Sequence, residues 1–364
     1  MTSHTPLVPS DVVWVTRCPV PTATAIALHH GWFEEAYAPH GYKIQTLQDS
    51  RDPNIRAQHF YHDIKTLFRE GGNVPALWAR AQNLKHKGHD KTVVIGLTWV
   101  DEVQLLLARP NSGLNAPLDL KVLKGKTFGV SQAGGAHSEG PIDIWRAMAL
   151  RGYRTVLELA GLTHTDITLK DLSAPHITWS VDRQRGGTWS SVSEEALLNG
   201  DVDVIYAKGA PAIALQEKHG LDVVLDINSL KDPRHRINNG TPRPITVHRD
   251  FLTDYPELVP LYLKVLAGAS DWAKSHADQV AGIISSETHT EVESVRSGYG
   301  ERLAHSFDVS LGDDRVDAFQ NQADFLFGEG LIAAPVNVRE WIVTGPLEAA
   351  LKSPLPQFRS LETA

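Results

Sequence analysis

The sequence predicts an α/β protein of two lobes with a cleft between them. Strand-like apolar runs alternate with amphipathic, helix-like segments along the chain. At 364 residues it is long enough for two separate cores. No internal repeat or low-complexity linker interrupts the alternation, so the lobes are expected to share the chain by crossing between them.

The elements follow in order. Val12 to Thr16 reads as a strand, Thr22 to Glu35 as a helix and Tyr42 to Leu47 as a second strand. Val74 to Gln82 is helical, Thr92 to Leu97 is a buried strand, and Gln104 to Ala108 is a strand broken by Arg109-Pro110. Pro117 to Val130 reads as a short helix leading into a strand, and Leu197 to Tyr206 as the end of a helix and the start of a strand. Val223 to Ile227 is a further strand. Beyond Pro256 long amphipathic helices dominate, including Leu258 to Ser275 and Arg315 to Glu329. Crossings near Leu106 and Pro244 give residues 1–106 as the first part of one lobe, 107–243 as a central lobe, and 244–364 as a return to the first.

Composition narrows the function. Hydrophobic residues make up 42% and charged residues 21%, and the formal net charge is −8. That balance is ordinary for a soluble protein and disfavours nonspecific binding to nucleic acid or an anionic membrane. Neither a secretory leader nor an uninterrupted apolar membrane segment is legible, so a cytoplasmic location is expected. A single cysteine fits a reducing compartment.

That cysteine, Cys18, lies in Trp14-Val15-Thr16-Arg17-Cys18-Pro19-Val20-Pro21, between a predicted strand and a predicted helix. It cannot form an internal disulfide or a thiolate-rich metal site. It is either an inert buried side chain or a reactive thiol, activated by helix-end N–H groups and a neighbouring His or Arg. The segment Gln58-His59-Phe60-Tyr61-His62-Asp63 supplies an imidazole for proton exchange, His59. Phe68-Arg69-Glu70-Gly71-Gly72-Asn73-Val74-Pro75 adds a planar donor for a two-oxygen anion, Arg69. Gly71-Gly72 permits close backbone approach, so that a nearby N–H can bind an oxygen. A second glycine-rich stretch, Gly134-Gly135-Ala136-His137-Ser138-Glu139-Gly140, follows the Phe128-Gly129-Val130 strand. Gly135, His137 and Ser138 are candidates there for an anion at a helix N-terminus, although an ordinary βα turn fits equally. The stretch lacks the Lys-Ser/Thr ending of a P-loop. Trp99, Trp145, Trp179 and Trp189 are candidates for an aromatic wall, with core packing as the alternative. His29-His30, His59-His62 and the scattered Asp226, Asp232 and His235 match no metal-ligand spacing, so no metal is expected.

On Cys18-Pro19-Val20-Pro21, His59-Phe60, Arg69, Gly71-Gly72 and Pro75 the chain resembles the 2'-hydroxybiphenyl-2-sulfinate desulfinase family. Weaker similarity runs through Gly129-Val130-Ser131, Gly200-Asp201-Val202-Asp203 and the C-terminal helical half. The resemblance implies a two-lobed fold like type II periplasmic substrate-binding proteins, used as a cofactor-free cytoplasmic enzyme. It implies Cys18 as catalytic cysteine, His59 as active-site histidine, Arg69 as sulfinate-binding arginine and Gly72 as anion-binding glycine. The implied reaction is hydrolysis of an aryl carbon–sulfur bond with release of sulfite, Cys18 acting as nucleophile or as proton donor. The expected partner is a small aromatic anion, taken by a monomer with no nucleic-acid or membrane partner. The Gly134–Gly140 stretch, His62 and Lys65 depart from the family pattern, which keeps another carbon–heteroatom cleavage open. A non-catalytic binding protein for a small aromatic or heteroaromatic anion is the rival from a different class.

Overall fold

A computed structural model describes residues 11–86, 91–133, 141–174, 188–352 and 354–356. The chain divides into two compact units. The first comprises Met1–Val100, Gly240–His289 and Arg302–Ala364, and the second Asp101–Asn239 and Thr290–Glu301. Strands are numbered in chain order: β1 (Val12–Val15), β2 (Lys43–Thr46), β3 (Leu67–Glu70), β4 (Thr92–Thr98), β5 (Gln104–Ala108), β6 (Thr127–Ala133), β7 (Thr168–Ala174), β8 (Val204–Lys208), β9 (Asp222–Asp226), β10 (Arg243–His248) and β11 (Val309–Ser310).

The first unit holds a six-stranded mixed sheet in the order β11-β4-β10-β3-β1-β2. Strand β1 runs parallel to β2 and β3, whereas β10 is antiparallel to β3 and β4. Four-residue β3 is therefore bracketed by β1 and by a strand that arrives about 170 residues later, with Thr246 opposite Arg69 and Ile245 opposite Glu70. Side chains alternate between the faces of a strand. Phe68 stacks on Tyr262 of the Leu258–Ala273 helix at 4.1 Å between ring centroids, and Tyr262 stacks on Phe33 at 5.1 Å. Glu70, two residues on, reaches the same helical layer through Thr24. Arg69 takes the opposite face.

The second unit holds a five-stranded sheet, β7-β6-β8-β5-β9, with β6 parallel to β7 and β8, and β5 antiparallel to β8 and β9. Its core gathers Leu105, Leu107, Leu172, Leu197, Val202 and Ile205. Because all of β5 pairs inside this sheet, the unit begins at Asp101 rather than near Leu106. It ends at Asn239 rather than near Pro244, because β10 belongs wholly to the other sheet. The unit also takes back Thr290–Glu301 from the C-terminal third. There the Val292–Tyr299 helix lies against the Gly209–His219 helix, and Gly298 makes the approach possible: a Cβ on it would stand 2.7 Å from the Ala210 nitrogen.

The predicted Thr22–Glu35 helix is two helices, Ala23–His29 and Trp32–Tyr37. Gly31 separates them at φ 71°, a left-handed conformation that glycine adopts without a Cβ clash. Among the described residues no helix is long and apolar enough to cross a membrane.

Gly96, in the middle of β4, tests the packing of the first sheet. A Cβ there would collide with Val309 Cγ1 of β11 and come within 3.3 Å of Ile245 Cδ1 of β10. Gly96→Ala is expected to lower the unfolding free energy by about 1–3 kcal/mol, read as a reduced urea midpoint.

Candidate functional site

The strand β1 delivers the chain into Thr16-Arg17-Cys18, and Thr16 closes onto β3. Its hydroxyl donates to the Glu70 carbonyl at 2.5 Å and accepts from the Glu70 N–H at 2.8 Å. Cys18 follows in a turn in which the Val20 N–H donates to the Cys18 carbonyl at 2.8 Å. Thr22 then caps the Ala23–His29 helix, accepting from the Ala25 N–H at 3.0 Å. The thiol, in no disulfide, is buried at 8% exposure. Its Sγ lies 3.8 Å from the Glu70 carbonyl oxygen and 3.9 Å from Gln48 Nε2.

Arg69 is buried to 1% exposure. Its Nε donates to the His59 carbonyl at 2.7 Å and its Nη2 to the Gly72 carbonyl at 2.9 Å, with His59 Nε2 at 3.5 Å from Nη2. Nη1 is buried with no hydrogen-bond partner among the described residues. Burial depresses the guanidinium pKa to about 10 and Arg243 pushes the same way, while a charge on the Cys18 sulfur raises it. The group stays protonated at neutral pH. Gly71 lets the imidazole and guanidinium meet: a Cβ there would be 3.0 Å from His59 Cε1 and 3.2 Å from Arg69 Nη2.

His59 sits in the Gln58–Tyr61 helical turn and is buried. Burial first, then the charge of Arg69, hold its pKa well below the ordinary histidine value, so the imidazole is neutral. His62 caps that turn in the left-handed region at φ 51°. Its Nε2 lies 3.1 Å from the Leu67 carbonyl and its Nδ1 3.3 Å from the Thr246 hydroxyl. The carbonyl requires the proton on Nε2, leaving Nδ1 to accept from Thr246. This ring joins β3 to β10 in the core, so it supports the site rather than facing solvent.

Gly72 is the N-cap of the Asn73–Lys85 helix. Its own N–H and those of the first helical turn stand outside the intrahelical ladder. Cys18, distant in sequence from the others, thus joins His59, Arg69 and Gly72 in one largely buried cluster in the first unit. Trp99 is half-buried next to Thr98 at the end of β4. Trp145 is half-buried in the Ile144–Ala160 helix of the second unit. Gly135, His137, Ser138 and Trp179 lie outside the described residues, and the side chain of Trp189 does too. Among the described residues no group of three or more His, Cys, Asp or Glu is placed to hold a metal.

Several functional groups escape a reading of the sequence. Glu70 is buried to 1%, accepting from Thr24 Oγ1 at 2.5 Å and Thr98 Oγ1 at 3.1 Å. Burial raises its pKa, opposed by Thr24, Arg243 and Thr98. Arg243, at 3% exposure, donates to the Pro21 carbonyl at 3.1 Å, just beyond the cysteine turn. With two guanidinium ions and at most one carboxylate, Arg69, Arg243 and Glu70 carry net positive charge in a buried setting. An anion is the natural complement, because a buried charge without a counter-charge is costly. A sequence signal for Arg243 exists in retrospect: a cation heads the apolar run Pro244-Ile245-Thr246-Val247. Gln48 gives no such signal.

No family model matches the chain. It is 24% identical over 354 residues to 2'-hydroxybiphenyl-2-sulfinate desulfinase of Rhodococcus erythropolis, a match that covers 91% of each protein. Among solved structures, a cysteine-to-serine variant of DszB in complex with biphenyl-2-sulfinic acid superposes with a TM-score of 0.72 at 20% identity. That match covers 94% of this chain and 99% of the other. The periplasmic aliphatic sulphonate binding protein SsuA from Escherichia coli superposes with a TM-score of 0.63 at 17% identity, covering 92% and 93%. The chain has the fold these proteins share. The resemblance to the desulfinase and the α/β substrate-binding-protein-like fold expected from the sequence both hold.

The buried imidazoles make stability pH-dependent. His62 is charged below about pH 6.5 when unfolded but only below about 3 when folded, so acid favours the unfolded chain. Its share of the stability lost between neutral pH and about pH 5 is about 2 kcal/mol. His59 acts in the same direction. Urea unfolding should show a steep acid decline, and His62→Asn, which tolerates the left-handed backbone, should flatten it while lowering stability near pH 7.5.

Proposed function

We propose that the protein is a cysteine-dependent desulfinase that cleaves the carbon–sulfur bond of an aromatic sulfinate and releases sulfite. The observation that carries this reading is the buried, net-positive Arg69–Arg243–Glu70 cluster with the only thiol of the chain beside it. The named function of the Rhodococcus relative and the biphenyl-2-sulfinic acid bound to the DszB variant support the same chemistry.

The reaction balances with water as the sole co-reactant: aryl sulfinate and water give arene and hydrogen sulfite. Arg69 donates to the sulfinate through Nη1, the nitrogen that the carbonyls of His59 and Gly72 leave unused. The N–H groups at the start of the Asn73–Lys85 helix, beginning with Gly72, add donors to the same anion. Two routes use these residues. In one, the Cys18 thiolate attacks sulfur, the carbon–sulfur pair passes to the ring carbon and takes up a proton, and water then frees sulfite from the cysteine. In the other, the Cys18 S–H protonates the ring carbon, neutral sulfur dioxide departs, and water converts it to sulfite while a proton returns to the thiolate. Neutral His59 accepts a proton from water in either route. Both routes place negative charge on Sγ. A reactive thiol outside any disulfide suits the cytoplasm.

The fold shared with an aliphatic sulphonate binding protein favours one rival, a binder without turnover. A panel of aryl sulfinates with sulfite detection separates the two. The wild type should release sulfite from at least one member, and Cys18→Ser should bind it with turnover reduced about a thousandfold or more. Arg69→Lys keeps charge but loses the planar fork, and should raise KM about tenfold or more. Ligand binding without sulfite from any member would establish the binder.

A further inference from the structure

Gln48 follows β2 and is half-buried. Its Oε1 accepts from the Arg17 backbone N–H at 2.6 Å. A backbone N–H has only a proton to offer, so this bond fixes which end of the amide faces it. The NH2 end is thereby turned to Cys18, with Nε2 at 3.9 Å from Sγ. The sulfur thus lies between an amide donor and the Glu70 carbonyl acceptor at 3.8 Å. The arm that carries the amide is itself anchored. Arg17 clamps both carboxylate oxygens of buried Glu287, at 2.6 Å and 3.0 Å, and reaches Asp49 at 3.3 Å. The ion pair to Asp49 joins the residue before Cys18 to the residue after Gln48.

We propose that Gln48 is a further catalytic residue, a fixed amide donor that stabilises negative charge on the Cys18 sulfur. For turnover this rests on the desulfinase reading, in which both routes pass through a thiolate. As a statement about the thiol it stands without that reading. A donated N–H favours the charged form of the group that accepts it. Loss of the donor removes that contribution, while the charge of Arg69 still favours the thiolate.

Two substitutions separate donation to sulfur from a structural role. Gln48→Leu removes both ends of the amide. Gln48→Glu keeps an oxygen for the Arg17 N–H but turns an acceptor and a negative charge toward the sulfur. Because the chain has a single cysteine, thiol measurements report on Cys18 alone. The readouts are the pH profile of iodoacetamide alkylation and of thiolate absorbance near 240 nm, with Cys18→Ser as the baseline, beside sulfite release from the aryl-sulfinate panel. Gln48→Leu should move the thiol half-point up by about one pH unit, and Gln48→Glu by more. Sulfite release should fall about tenfold in the first and further in the second. If Gln48→Glu restored the wild-type profile while Gln48→Leu did not, the residue would be a brace for Arg17. Wild-type half-points in both variants would also overturn the assignment. Should the wild type release no sulfite at all, the desulfinase reading fails while the thiol profiles still decide the role of Gln48.

Discussion

The structure depends on a guanidinium kept out of water on a four-residue strand. Arg69 can occupy that position only because neighbouring backbone carbonyls, those of His59 and Gly72, take two of its nitrogens and because Gly71 removes the Cβ that would part it from the imidazole. The remaining nitrogen, Nη1, is buried without a hydrogen-bond partner among the described residues. The opposite face of β3 is committed to the Phe33–Tyr262–Phe68 stack, so the strand cannot rotate to relieve the charge. Packing on one side thus enforces an electrostatic demand on the other.

Alternation of apolar runs with amphipathic segments made the fold class legible, and β5 stands where the sequence suggests, at Gln104–Ala108. The strand that matters most was hidden. β3 is Leu-Phe-Arg-Glu, half of it ionisable, and no apolar run marks it as a central strand. Its identity comes from hydrogen-bonded neighbours, and one of them, β10, is far away in the chain. The return of Thr290–Glu301 to the second unit was hidden for a related reason. Amphipathic periodicity tells that a helix buries a face but not which sheet receives it, and here the decision lies in the missing Cβ of Gly298.

The site divides in the same way. Cys18 could be named because it is the one thiol of the chain, and His59, Arg69 and Gly72 because their segments carry proton-exchange and anion-binding chemistry and match the desulfinase resemblance. Their buried charged neighbours could not. Glu70 reads as one of 43 acidic residues and Arg243 as one of 35 basic ones until burial to a few per cent distinguishes them. Gln48 is the extreme case, since an amide becomes a directed donor only when another bond fixes its orientation. His62 could be read either as solvent-facing or as orienting the site. Its two hydrogen bonds make it a strut between β3 and β10.

The Arg17–Glu287 clamp joins residues 270 positions apart. During synthesis on the ribosome, the segments flanking the thiol emerge early, whereas Arg243 and Glu287 emerge only after most of the chain has been made. The cysteine therefore spends much of its nascent life in a solvated, unassembled segment, and its chemical environment comes into being late. Contacts of such long range slow folding. They also tie the surroundings of the thiol to completion: a chain truncated before Glu287 would carry the thiol without the carboxylate that anchors its flank.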